Sequence, residues 1–148
     1  MARIYAEDTK VPIHQSINEI ERLVLQSGHS GFQYGDAGHT LAIMFASADR
    51  RVRFTLPFGE RPAGGAALSK WEQKRRARAR ALALTIKAKF VSVAAEIETF
   101  EEAFLAETVM PDGRTVIEHA GPLVLAAYNS GTTPPALLPD FSKDSGRG

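Results

Sequence analysis

Between residues 41 and 56 the apolar side chains fall on every second position. Leu41, Ile43 and Phe45 form one run, and Val52, Phe54 and Leu56 form another. Phe32 and Tyr34 begin the same alternation within GFQYG. A period of two belongs to a half-buried strand, because successive side chains of a strand point to opposite faces. The segments GDAGH and SADR separate the runs and hold the Gly, Asp and Ser that tight turns require, and Pro57 ends the last one. The expectation is a meander of three antiparallel strands with one apolar face. That face must be covered, by the helix that precedes the meander or by the one that follows it.

Both flanks carry helical periodicity. Ile17, Ile20 and Val24 share a face with Leu23 at its border, and Gly28 supplies a stop, so a helix is predicted over roughly 14–27. Ser16 and Glu19 have the spacing of a capping box. The loop FGERPAGGAAL at 58–68 leads to a second, long helix. Its expected N-cap is Ser69 with Glu72 at the third position, and its apolar stripe is Trp71, Ala79, Leu82, Ile86, Phe90, Val93 and Ile97. Thr99 with Glu102 predicts a short third helix with Phe100, Phe104 and Leu105 turned inward. After a turn at 109–113, Thr115 with Glu118 predicts a fourth helix toward Tyr128, which Gly121 and Pro122 interrupt or kink. The fold class is therefore α+β: a helix, a three-stranded antiparallel meander, a long basic helix and short C-terminal helices. Residues 1–130 are expected to form one domain, beginning with an extended arm over 1–12. The Pro-, Gly- and Ser-rich stretch 131–148 is expected to be a flexible tail.

The second helix carries the strongest functional signal. Residues 70–89 hold eight bases and one acid, whereas residues 96–118 hold seven acids and one base, in a chain of 148 residues with net charge +1. On a helical projection Arg76, Arg80 and Lys87 share one flank of the apolar stripe, and Lys70, Lys74 and Arg78 share the other. Arg75 and Lys89 lie nearer the stripe and are expected to snorkel along it. Cations one turn apart neutralise phosphates without regard to base, and the guanidinium fork suits bidentate contact with phosphate. Cations in the N-terminal half of a helix oppose its dipole, a placement that costs stability unless something else favours it. Arg51 and Arg53 add a basic row on the solvent side of the third strand. The plain structural reading is a solvated helix face whose internal partner is the acidic stretch.

Other chemistry has thinner support. No cysteine is present, which removes disulfides, thiolate metal sites and cysteine nucleophiles. His29, Asp36 and His39 match no metal-ligand spacing, and Glu96, Glu98, Glu101 and Glu102 read as a solubilising face. Gly59, Gly64 and Gly65 are followed by no phosphate-loop lysine, and Ser30, Ser47 and Ser69 sit in no nucleophile elbow. Phe32, Tyr34 and Phe45 would stack bases only if they faced solvent. No enzyme, metal or cofactor is expected. MARIYAEDTKVPIHQS lacks the apolar core of a signal peptide, and no apolar run is long enough to cross a bilayer. The expected location is the cytoplasm.

The stretch ALALTIKAKF with EIETFEEAFLAETVMPDGRTVIE resembles a segment of short bacteriophage, prophage and mobile-element proteins, and the similarity runs from INEIERL to AAYNSG. It implies that setting and brings no activity or site residues. The order α-β-β-β-α with a basic second helix is similar to double-stranded-RNA-binding domains. In that comparison Lys70, Lys74 and Arg75 are the nearest match to the family's lysines, and Gly38-His39 falls near its histidine loop. The longer second helix and the extra C-terminal helices depart from that pattern.

The leading expectation is a non-enzymatic nucleic-acid-binding protein. Its phosphate contacts would come from Lys70, Lys74, Arg75, Arg76, Arg78, Arg80, Lys87, Arg51 and Arg53. The alternative is a small protein-binding factor, such as an inhibitor of a host DNA-acting or defence system, docked through the same basic face. A homo-oligomer is also possible, because the second helix is longer than a three-stranded sheet of ordinary strands.

Overall fold

The computed structural model describes residues 7–135. The expected tail lies mostly outside these residues, as does the first half of the N-terminal arm. The elements are α1 (Ile13–Gln26), β1 (Ser30–Asp36), β2 (Thr40–Ser47), β3 (Arg50–Pro57), α2 (Gly65–Ala94), α3 (Phe100–Phe104) and α4 (Val116–Ser130). The three strands form one antiparallel sheet in the order β1-β2-β3. This is the α+β architecture that the alternation and the two helical stripes predict. Among the described residues no helix is long and apolar enough to cross a membrane.

Register explains how the meander makes one face. Ile43 pairs with Phe54 and Phe45 with Val52, so all four side chains point to the same side, where they are buried. A bulge between Ser30 and Gln33 interrupts the β1–β2 ladder. Gly31 sits there at φ +65°, and a Cβ at this position would lie 3.3 Å from that of Ala46, so the bulge is glycine's place. The core joins Ile17, Ile20 and Val24 of α1 to Ile43, Phe45 and Val52 of the sheet. It continues into Leu82, Ile86 and Phe90 of α2 and Phe104 of α3. Phe104 meets Phe45 edge-on, with ring centroids 5.6 Å apart and planes at 89°, a favourable aromatic geometry.

Several helix ends differ from the sequence expectation. α1 starts at Ile13 behind Pro12, with no side-chain cap. Ser16 is thus an interior, fully buried residue of the apolar stripe, and its hydroxyl finds no protein partner. α2 starts at Gly65 behind Gly64, again with no side-chain cap. Ala66, Ala67 and Leu68 are good helix formers and carry the helix back past Ser69. α2 ends at Ala94, so Ile97 falls outside its stripe and is 76% exposed. The backbone closes this end with bonds from Glu96 N to Val93 O and from Ile97 N to Ser92 O. That is the Schellman pattern, with Glu96 rather than a glycine in the left-handed conformation at φ +60°. Leu105 follows the last residue of α3 and is 48% exposed, not turned inward: one residue beyond the buried Phe104 is about 100° further around the axis.

The capping boxes at Thr99–Glu102 and Thr115–Glu118 are both present, with both hydrogen bonds made in each. The C-terminal part is not wholly helical. Residues 107–109 lie along β3, with Arg53 N donating to Glu107 O (2.9 Å) and Val109 N to Arg51 O (2.8 Å). The chain then turns back so that Val109 bridges Thr115. α4 runs unbroken through Pro122. Proline leaves the carbonyl four residues earlier without its helical donor. That carbonyl belongs to Glu118, and Arg114 Nη2 donates to it at 3.1 Å.

Ile86 is fully buried at the centre of the α2 seam. Ile86→Ala should destabilise the protein by about 2–5 kcal/mol in denaturant unfolding. An unchanged midpoint would reject this placement of the seam.

Candidate nucleic-acid interface

The cations of α2 divide into engaged and exposed ones, Lys89 being the one lysine that joins the arginines in the first group. The arginines are mostly engaged within the fold. Arg75 forms an ion pair with Asp36 at the end of β1. Its guanidinium carbon lies 5.1 Å from the centroid of the Trp71 ring and 5.3 Å from that of Phe58, so it is a cation enclosed by two aromatic rings. Arg78 donates to the carbonyl of Pro57 and lies 5.7 Å from the Phe58 ring. Arg80 forms an ion pair with Glu19 of α1. Glu19 therefore joins α1 to α2 instead of capping α1. Arg76 donates twice to Gln73 Oε1, at 3.2 and 2.7 Å. Lys89 donates to Ala103 O at 2.6 Å and so fastens α3.

On the sheet, Arg51 and Arg53 do point away from the buried Val52 and Phe54, as expected. Arg53 is nevertheless engaged: it donates to Gly113 O (2.9 Å) and pairs with Glu118 (3.1 Å). Arg50 pairs with Glu101 at 3.1 Å. The carboxylates of the acidic stretch thus pair with bases of β3 and, among the described residues, with none of α2; Lys89 of α2 meets only a backbone carbonyl of that stretch.

Lys70, Lys74, Lys87 and Arg51 are exposed and make no hydrogen bond or ion pair with the described residues. They do not share a surface. Lys87 lies on the opposite flank of α2 from Lys70 and Lys74, and Arg51 is on the open face of the sheet. The flank of Arg76, Arg80 and Lys87 retains one unengaged cation. The flank of Lys70, Lys74 and Arg78 retains two, and it borders a groove of about 700 Å³. Ala77, Ala81 and Leu82 of α2 and Leu56 of β3 make the apolar part of its lining. Glu7 and Asp8 of the N-terminal arm lie on its wall, and Gln73 Nε2 holds the arm there by donating to the carbonyls of Glu7 and Thr9, both at 2.9 Å.

The early start of α2 also changes the dipole argument. With Gly65 as the first helical residue, the cations from Lys70 onward stand beyond the first turn, where repulsion by the helix N-terminus has largely decayed.

The other constellations of the sequence separate in space. His29 lies among Phe45, Phe90 and Phe100, with its ring stacked on Phe90 at 5.6 Å, and burial pushes its pKa below the ordinary imidazole value. Asp36 turns to Arg75 and to the backbone N–H of Gly38. Among the described residues no group of three or more His, Asp or Glu is placed to hold a metal. Phe45 is buried and Tyr34 is 56% exposed. No family model, curated protein or solved structure matches this chain significantly.

Two predictions follow from these pairings. Asp36→Asn leaves the Arg75 charge enclosed without its counterion and should cost about 1–3 kcal/mol. Lys74→Gln should stay within about 0.5 kcal/mol, and equal effects in thermal unfolding would reject the division between engaged and free cations. The second concerns acid. The backbone N–H of Thr115, and then the Arg53 side chain, hold the Glu118 carboxyl below its ordinary value of 4.5. Its folded value lies below its unfolded one, so its contribution is complete above about pH 4.5 and is lost as pH falls through the folded value. Glu118→Gln should therefore flatten the decline of stability in acid, and an acid limb identical to that of the parent would show that this carboxyl contributes nothing.

Proposed function

We propose that this protein is a non-enzymatic nucleic-acid-binding protein that holds the phosphate backbone along the groove beside α2. One observation carries the reading. Lys70 and Lys74 stand one turn apart, unengaged, on the rim of a groove large enough for a chain segment, and Arg78 continues the same row. Two ammonium groups at this spacing neutralise phosphates without reading bases. The apolar lining of Leu56, Ala77 and Ala81 offers sugars and base faces a surface that does not compete for water. The phage or mobile-element setting implied by the sequence resemblance belongs to the same proposal.

The site differs from the one outlined in the sequence. Arg75, Arg80 and Arg53 join separate elements of the fold and Arg76 is tied to Gln73 of its own helix, so the binding role is proposed for the groove row. Glu7 and Asp8 lie opposite it, so the described lining of the groove holds three cations and two acids. The expected affinity is modest and strongly dependent on salt.

Fluorescence anisotropy with short single- and double-stranded oligonucleotides at about 50 mM salt tests the proposal. Lys70→Gln with Lys74→Gln should weaken binding alike for every sequence and flatten the slope of log affinity on log salt by roughly 1.5 to 2. Glu7→Gln should strengthen binding, and Lys87→Gln should leave it unchanged. A parent protein that retains no oligonucleotide sinks the proposal. If it binds an acidic polypeptide instead, the same row is a protein-docking surface.

A further inference from the structure

α4 is the exception in this fold. Its fifteen residues are the most apolar helical stretch of the chain, yet none of them is buried. Ile117 is 54% exposed, Val124 43%, Leu125 65% and Tyr128 86%. A helix of this length is marginal in water without tertiary packing. Here its first turn is anchored by the Thr115–Glu118 capping box, by Arg53 and by Arg114. The rest extends without a partner for its apolar side among the described residues.

That side has a regular spacing. Ile117 and Val124 stand seven residues apart, and so do Ala120 and Ala127, which together make a seam of alternating three- and four-residue steps. Such a seam faces another helix. Glu118, Asn129 and Ser130 lie on the other side of the axis, so the seam carries no charge. Alanine at two of its four positions lets a second backbone approach closely. Beside it opens a hollow of about 270 Å³ lined by Met110, Val116, His119, Ala120 and Leu123, where an apolar side chain from outside can seat.

We propose that the occupant is a second copy of this chain, with α4 packed against α4 about a two-fold axis. Two observations favour a copy over another protein. A two-fold interface sets one patch against itself, and an uncharged seam contains nothing that repels its own image. The area suffices for a weak, reversible contact: Ile117, Val124, Tyr128 and Met110 leave on the order of 500 Å² exposed, at the low end of interfaces that dissociate on dilution. The groove beside α2 is not involved, so the dimer stands or falls independently of nucleic-acid binding.

Light scattering and sedimentation on the full chain test it. The parent should show twice the chain mass of 16.1 kDa at about 0.1 mM and should dissociate on dilution. Val124→Glu places two like charges at the seam and should weaken association at least tenfold. Ala126→Glu puts the same charge on the opposite arc and should leave association unchanged. Neither position is buried, so both variants should keep the parent's circular dichroism and melting midpoint once the dimer's own contribution is removed by dilution. A parent that remains monomeric at about 0.1 mM overturns the proposal and leaves the face to another protein or to residues 136–148. Equal behaviour of the two glutamate variants overturns it as well.

Discussion

The fold depends on covering one face of a three-stranded sheet. An apolar sheet face left in water forfeits the free energy of its burial, and α1, α2 and α3 all pack on that side of the meander. The seam of α2 is the longest part of the cover. Trp71, Ala79, Leu82, Ala83, Ile86 and Phe90 are all buried, and Phe90 reaches Phe45 of β2 with ring centroids 5.9 Å apart. Once α2 lies along the sheet, the polar groups at its borders must find partners or water. Trp71 Nε1 does so by donating to Gly59 O at 3.2 Å.

This requirement explains the composition of α2. An arginine beside a buried seam can extend its stem over apolar neighbours and still deliver a planar fork to a carboxylate or carbonyl. Arg75 reaches Asp36, Arg78 reaches Pro57 O and Arg80 reaches Glu19. These three contacts tie α2 to β1, to the end of β3 and to α1. A lysine offers a hydrated point charge with no such fork; Lys70, Lys74 and Lys87 stay in water, while Lys89 reaches Ala103 O with its single ammonium. The two basic flanks that the sequence shows are thus built mostly of arginines engaged within the fold, with Lys70, Lys74 and Lys87 left exposed among them.

The C-terminal part rests on a similar economy of contacts. Arg53 grips both the turn at Gly113 and the first turn of α4 through Glu118. Residues 107–109 occupy the outer side of β3, so that edge is not left as a template for foreign strands. Arg114 replaces the hydrogen bond that Pro122 removes. All this positions the start of α4 firmly while leaving its apolar seam outward.

Local patterns of the sequence determined the elements, because period, turn residues and helix propensity act over a few positions. The meander, the α2 seam and the boxes at Thr99 and Thr115 were legible in this way, as was the stop at Gly28. The same patterns misled where the preceding chain was already helical. Ser16–Glu19 and Ser69–Glu72 have capping-box spacing, but Pro12 and Gly64 start their helices earlier, and a cap forms only where the backbone before it is extended. Glu96 closes α2 with the backbone bonds that end α1 at Gly28, and no glycine announced it. The count of cations was also in the sequence, but their use was not. Asp36 is 39 residues from Arg75 and Glu19 is 61 from Arg80. Only the packing of α2 against the sheet and α1 brings these pairs together, because an ion pair depends on separation in space, which the order of residues along the chain does not specify.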